Sequence, residues 1–512
     1  MKQVIQEIRR FDKGIQGTVD SAFHQHFDIF SDPYRLIPYR STEAEADSVS
    51  AANLGTSYLR NFQLGKNGIM YALGQTSTLA QVFQKTDPTT GTWGVAATAV
   101  ASATFTVIYG AFIEWGVTPA FYMFTKTATL SKWQIGGTFT DTVLGLGATI
   151  TSVAQGVIGA DDNLYMFYNN RVVRVTNAGT ATDNVLTNLP SDMRIVSACR
   201  LGTYIAIGMA YGTSAIGIPA GVSKVFIWDM VTTTTTNDVL DWGEGALRVL
   251  GNIEGRLVGV SDKYLTNPIS LSRGSMVVRM WSGGTPQIMK EIIANQLVTA
   301  DSGTYANVVS RFPRDVVIKD NKMYWIASVP FGASTATEST FHLGIWAFGR
   351  KDKDSDFSLS LDYVEEGVDT ANFYINSFGN AGNYWFISYS AAGLVNKTDD
   401  AANYTFTSAY ETELLGNGKQ TFKLVATSVM TDFLPAAGQI VLKYKVDAES
   451  SFTTIFTNTT DNSIRHTALN IESTGATLPT YKRLRLRAES TGGAVITGIR
   501  HVSEPIDDDV YA

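Results

Sequence analysis

The residues best equipped for chemistry are few and scattered. The five histidines, His24, His26, His342, His466 and His501, include one close pair, His24-Gln25-His26. Zinc needs three or four protein ligands drawn from His, Cys and carboxylate. One H-x-H pair supplies half such a set, so no metal ligand is assigned. Cys199 is the single cysteine, which excludes an internal disulfide. It ends the alternating stretch Arg194-Ile-Val-Ser-Ala-Cys199 with no histidine beside it in sequence, and a buried structural thiol is expected. Adjacent carboxylates occur at Asp161-Asp162, Glu365-Glu366 and Asp399-Asp400. Each lies in a turn-like or polar segment, where Asp serves the backbone. Glycoside hydrolysis needs two acids facing each other across a cleft, about 5–10 Å apart, and sequence adjacency does not create that.

Asp87-Pro-Thr-Thr-Gly-Thr-Trp93 is similar to the Asp-box of sialidases and related propellers. That box places Gly two residues after Asp, whereas Gly91 stands four after Asp87, so a plain hairpin is expected. Trp228, Trp281, Trp325, Trp346 and Trp385 fall at strand ends, where indole faces could stack on sugars; burial between packed sheets is the competing expectation. The nucleophile elbow, the P-loop, the dinucleotide fingerprint and C-x-x-C are all missing. The sequons at Asn396 and Asn403 carry weight only with a secretion signal, and the first ten residues lack the apolar segment of one. No catalytic, cofactor-binding or metal residue is assigned, and no enzyme is expected.

The elements that carry these residues read as strands. Charged residues make up 17% of the chain, below the ~25% usual in globular proteins. The polar share falls to Thr, Ser, Asn and Gly, which suit strands and tight turns. The net charge of −7 argues against gripping duplex DNA, which requires basic surface, but is compatible with a wall that DNA slides past. The uncharged runs Gly94–Ile113 and Leu201–Val222 are long enough to span a bilayer. Their interleaved Thr, Ser and Gly, with β-branched and aromatic residues, predict buried strands instead. Only Pro286–Asn295 shows helix-like apolar spacing.

A recurring unit dominates the chain: a Gly, Asn or Asp turn running into an apolar, aromatic strand. Lys66-Asn-Gly-Ile-Met-Tyr71, Asp161-Asp-Asn-Leu-Tyr-Met-Phe167 and Lys319-Asp-Asn-Lys-Met-Tyr-Trp325 are examples. Its markers, Tyr71, Tyr122, Tyr165, Tyr204, Leu257, Tyr324 and Trp385, recur every ~40–65 residues, the period of a four-stranded propeller blade. About seven blades are expected over residues 45–405. Beyond, over 406–512, alternating strands without the motif predict an antiparallel β-sandwich with an acidic tail. Arg483-Leu-Arg-Leu-Arg487 there turns its leucines inward and its arginines to solvent or a partner. Residues 1–44 read as an arm that completes the last blade and closes the propeller.

Two regions carry a family resemblance. Phe11-Asp-Lys-Gly-Ile15, Phe27-Asp-Ile-Phe30 and Pro33-Tyr-Arg-Leu-Ile37 resemble the N-terminal arm of tailed-bacteriophage propeller proteins of the podophage nozzle, hub and packaged-DNA-stabilising type. Ala409–Glu413, Lys419–Thr427, Ile440–Asp447, Ser451–Phe456, Tyr481–Glu489 and Ile499-Arg-His-Val502 resemble their terminal sandwich. The resemblance implies a structural virion protein of the tail, made in the host cytoplasm. It further implies a homo-oligomeric ring, hexameric symmetry being one such arrangement, that guides or retains genomic DNA without sequence-specific binding. Other tail, portal or adaptor proteins and tail fibres would be its partners, with no membrane span and no cofactor. Two other readings stand beside it: a carbohydrate-binding or carbohydrate-cleaving propeller used in host recognition, and a cellular scaffold for protein partners.

Overall fold

A computed structural model describes residues 4–11, 15, 22–44, 58–75, 80–89, 91–98, 112–126, 128–211, 222–267, 271–293, 298–299, 315–330, 341–364, 375–389, 395–398, 404, 406–416, 418–447, 449, 451–459, 465–468 and 479–506. Every regular element among them is a strand. The protein is all-β, a β-propeller followed by an antiparallel β-sandwich. Its two compact units are each discontinuous in sequence. One comprises Thr42–Pro330 and Gly367–Thr398; the other comprises Met1–Ser41, Phe331–Glu366 and Asp399–Ala512. The 45–405 span thus contributes Phe331–Glu366 to the second unit.

The first unit holds consecutive antiparallel sheets, four-stranded except in the fifth, where Val298–Thr299 adds a fifth strand beside Leu271–Trp281. Blade 1 is Tyr58–Leu64, Met70–Gln75, Ala80–Lys85 and Trp93–Thr98; blade 2 is Phe112–Trp115, Ala120–Lys126, Thr129–Gln134 and Phe139–Gly145. Blade 3 runs from Val153–Ile158 to Ala181–Thr182, blade 4 from Met193–Leu201 to Asp238–Glu244, and blade 5 from Ala246–Ile253 to Gln287–Ile293. The hairpin Val317–Lys319 with Lys322–Pro330 follows. A closing blade is built from Ile375–Ala381, Tyr384–Tyr389, Val395–Thr398 and, as its fourth strand, Thr42–Ala44.

Each marker residue of the repeat lies on the second strand of its sheet or hairpin, directly after the turn that the Gly, Asn and Asp residues form. Those turns use left-handed backbone at Gly68, Asp162, Gly202, Gly255, Asn321 and Gly382, conformations that Gly, Asn and Asp reach most cheaply. First strands of neighbouring blades lie side by side: Val153–Ile158, Met193–Leu201 and Ala246–Ile253 in series, and Ile375–Ala381 against Tyr58–Leu64. They are the inner strands of the propeller.

Apolar side chains fill the gaps between blades. Tyr165, Phe167, Ile205, Ile207 and Trp228 share the core between blades 3 and 4. Tyr71, Phe121, Met123 and Trp133 share that between blades 1 and 2. Polar side chains complete these seams near the axis. Ser197 Oγ donates to Gln155 Oε1 at 3.2 Å and accepts from the Leu250 amide at 2.9 Å, so one hydroxyl ties three blades. Replacing Ser197 with Ala leaves the buried Leu250 N–H unpaired. The expected loss is about 1–3 kcal/mol, read as a lower urea midpoint at constant m-value. An unchanged midpoint would rule this tie unimportant.

The segment with helix-like apolar spacing, Pro286–Asn295, contains the outer strand Gln287–Ile293 of blade 5. Its pairing with the preceding strand slips between Val278 and Arg279. The slip inserts an extra residue and breaks the period-two pattern of its isoleucines, which imitates helical spacing. Of the two uncharged runs, the described parts are strands apart from the Gly202–Thr203 turn, and the Gly94–Thr98 stretch is an outer strand that is not buried as expected, with Val95 exposed. Residues 99–111 and 212–221 lie outside the described residues. Among those described, no helix is long and apolar enough to cross a membrane.

The second unit contains two large sheets and a two-stranded one, Phe27–Asp28 with Ile37–Pro38. In one large sheet, Ile496–Pro505 lies between Val4–Ile8 and Phe422–Thr431, the latter also pairing with Arg465–Ala468 and Thr480–Tyr481. In the other, Phe341–Gly349 pairs with Ser358–Val364, which bridges in parallel to Phe23–Gln25; Ser408–Glu411, Leu484–Thr491, Gln439–Val446 and Thr453–Asn458 follow in order. The arm is therefore integral to the fold. Phe11, Phe23, Phe27, Ile29, Phe30 and Leu36 are all buried.

Candidate functional site

The residues singled out in the sequence are spread over both units, and most serve the fold. In the propeller unit, Cys199 packs against the core cluster that holds Trp242, Leu247 and Leu250, and burial drives its thiol pKa far above the ordinary range. Asp87 caps its own turn: its carboxylate accepts the Thr89 amide at 2.8 Å and its carbonyl the Gly91 amide at 2.9 Å. This is the expected hairpin. Asp161 accepts from Tyr165 Oη at 2.6 Å and Asn163 Nδ2 at 2.7 Å, and Asp162 accepts from Asn177 Nδ2 at 2.9 Å. Both carboxylates hold the turn that opens the second strand of blade 3. Glu365, Glu366, Asp399 and Asp400 lie outside the described residues.

The tryptophans are mostly core. Trp228, Trp325 and Trp385 in the propeller unit are buried, as is Trp346 in the sandwich unit. Trp228 meets Tyr165 edge to face across a blade seam at 5.2 Å and donates its indole N–H to the Thr232 carbonyl at 2.6 Å. Trp281 is half-buried and donates to the Gly284 carbonyl.

In the sandwich unit both members of the histidine pair are buried. His24 Nε2 bonds Ser360 Oγ at 3.0 Å. His26 takes φ +59° and sits among the rings of Tyr39, Tyr363 and Phe406 at 5.4–6.2 Å. Desolvation lowers His24 to about 3 and His26 to about 4. Among the described residues no group of three or more His, Cys, Asp or Glu could hold a metal. Leu484 and Leu486 face the core and Arg483 is exposed, as expected, while Arg485 and Arg487 are partly buried. They pair with Glu411 at 3.4 and 3.0 Å, and Arg487 also with Glu489 at 2.8 Å.

One place in the propeller unit has chemistry that sequence reading missed. The Asp315 carboxylate receives the Ser377 hydroxyl, Asn61 Nδ2 at 3.2 Å and, more distantly, the Phe378 amide at 3.4 Å. Ser377 Oγ in turn accepts the Asn61 amide at 2.8 Å. Desolvation outweighs these bonds and holds the Asp315 carboxyl up at about 6. Asn61 and Ser377 sit on neighbouring inner strands, of blade 1 and the closing blade, and both are buried. Positions 61, 315 and 377 share no motif; the left-handed Asn61 and the ladder slip around it are structural signals only.

No protein-family model matches the chain, nor does any curated protein. Among solved structures it is similar to virginiamycin B lyase from Staphylococcus aureus, with 8% identity over 77% of this chain and 99% of that one and a TM-score of 0.41. It is also similar to the Neurospora crassa Pan2 WD40 domain, at 9% identity over 71% and 95% with a TM-score of 0.39. A Niastella koreensis GH74 enzyme matches at 12% identity over 87% and 73%, with a TM-score of 0.41. Similarity at this level assigns no activity to this chain.

Proposed function

We propose that this chain is a structural component of a bacteriophage tail, assembling with its own copies into a ring that DNA traverses and on which other tail parts dock. The observation that carries the reading is how the arm is used. The segments that resemble the phage-protein arm supply buried core to the sandwich unit, and Thr42–Ala44 supplies the last strand of the closing blade. A segment built this deeply into a fold serves architecture. The use of polar groups supports the same role: Asp87, Asp161 and Ser197 are each committed to turns or blade seams. Burial of Trp228, Trp325, Trp346 and Trp385 weighs against the carbohydrate reading, since sugar stacking needs exposed ring faces. The net charge of −7 suits a conduit that does not retain DNA by counterion release.

Light scattering of the purified chain across micromolar concentrations, followed by imaging, tests the proposal. Closed oligomers of one size, with silence on a glycan array, are expected. A strict monomer at every concentration would count against the ring, and glycan binding would move the assignment to host recognition.

A further inference from the structure

Two inner strands of the propeller unit are irregular at neighbouring positions. In blade 1 the pairing of Tyr58–Leu64 with Met70–Gln75 slips between Arg60 and Gln63, and Asn61 within the slip takes φ +52°. In the closing blade the pairing of Ile375–Ala381 with Tyr384–Tyr389 slips between Ile375 and Ser377. Bulges of this kind re-aim side chains and recur beside functional sites. Here both deliver a polar group to Asp315.

Two features of the cluster are unresolved by the fold itself. Asn61 is 8% exposed, and its Oδ1 is buried with no hydrogen-bond partner. A buried, unpaired amide oxygen is costly, and native structures rarely leave one without a ligand, ion or water. Asp315 is met only by neutral donors among the described residues, with no lysine or arginine paired to it. A desolvated carboxylate without a counter-charge is costly for the same reason. A half-turn of the Asn61 amide exchanges Oδ1 and Nδ2 within nearly the same volume and brings the orphan oxygen beside the carboxylate. Amide, hydroxyl and carboxylate oxygens are the donors that hard cations select.

We infer that Asn61, Asp315 and Ser377 form a binding site for a hard cation of the calcium type, bridging the inner strands of blade 1 and the closing blade. With a single carboxylate, its affinity falls in the weak, millimolar class. The inference is independent of the tail assignment.

The test uses the full-length chain stripped with a chelator and titrated with Ca2+, Mg2+ or Na+ separately at pH 8. Calorimetry and thermal unfolding are the readouts. Ca2+ is expected to bind with measurable heat and to raise the unfolding temperature. Asp315→Asn should abolish both effects. Asn61→Asp adds a second carboxylate at a position whose left-handed backbone Asp tolerates, and should tighten Ca2+ at least tenfold. A purely structural Asn61 would give no such gain. Absence of heat and of any unfolding shift with all three cations, in both wild type and Asn61→Asp, would overturn the site. So would an undiminished Ca2+ response in a folded Asp315→Asn protein.

Discussion

A chain lacking residues 1–44 is expected to show no cooperative unfolding transition by circular dichroism. The deletion removes Phe11, Ile15, Phe23, Phe27, Ile29, Phe30 and Leu36, all buried. At roughly 1.5–3 kcal/mol for each large apolar side chain, the loss exceeds about 10 kcal/mol. That is comparable to the whole ~5–15 kcal/mol by which a domain is stable. The deletion also strips Thr42–Ala44 from Val395–Thr398, exposing a strand edge whose Val395, Lys397 and Thr398 are buried in the intact protein. The full-length Glu43→Pro variant isolates that second effect, because proline at the partner of Lys397 removes a backbone donor and stiffens the strand. Its melting temperature should fall while the sandwich unit keeps its hydrogen-exchange protection. A deletion that melts like the intact chain would show that the arm is dispensable.

Acid should destabilise the sandwich unit well before its carboxylates titrate. His24, His26 and His501 are buried, and desolvation lowers them to about 3, 4 and 4. In the unfolded chain each titrates near its ordinary ~6.5. Between those values the unfolded state binds more protons than the native one, so stability is full above pH ~6.5 and falls as pH drops toward 4. Each ring contributes about 1.4 kcal/mol per pH unit in that window, roughly 3 kcal/mol or more by pH 4. Asp315 acts in the opposite sense in the propeller unit. Its folded value, about 6, lies above its ordinary value of 3.8, so its contribution is full below pH ~4 and is lost as pH rises through 6. Hydrogen exchange at pH 7 and pH 5 should therefore show protection lost around His24, His26 and His501 and retained around Ser377. The midpoint of urea unfolding should fall with pH across the same window, and His501→Val should flatten that dependence by about one proton. A midpoint that is flat from pH 7 to 4.5 would mean these rings are not buried neutral.

The blade motif was legible because it is local. A tight turn needs Gly, Asn or Asp, and the strand after it is buried on both faces, so turn and aromatic appear together wherever a second strand begins. The inner strands, such as Val153–Ile158, were not marked in the same way. Their first signal is the seam they make with a neighbour, and that is set by residues far away in sequence. Gln287–Ile293 shows helix-like spacing because its ladder slips at Val278/Arg279 and scrambles a period-two pattern. The alternation in Arg483–Arg487 correctly placed Leu484 and Leu486 inside, but charge pairing to Glu411 depends on which strand lies alongside, and alternation says nothing of that. The Asn61, Asp315 and Ser377 cluster was invisible for the same reason. Its members come from three distant stretches, and what distinguishes Asn61 is a backbone angle rather than a residue pattern.

The pairing of Thr42–Ala44 with Val395–Thr398, and of Val4–Ile8 with Ile496–Pro505, sets the order of events on the ribosome. In each case the earlier strand leaves the exit tunnel hundreds of residues before its mate is synthesised. Neither unit can complete its hydrogen-bonded perimeter until translation has passed those late positions. Nascent chains must hold an apolar leader in reserve throughout, a natural substrate for chaperones. Products terminated before residue 395 would lack both latches and be cleared or aggregate.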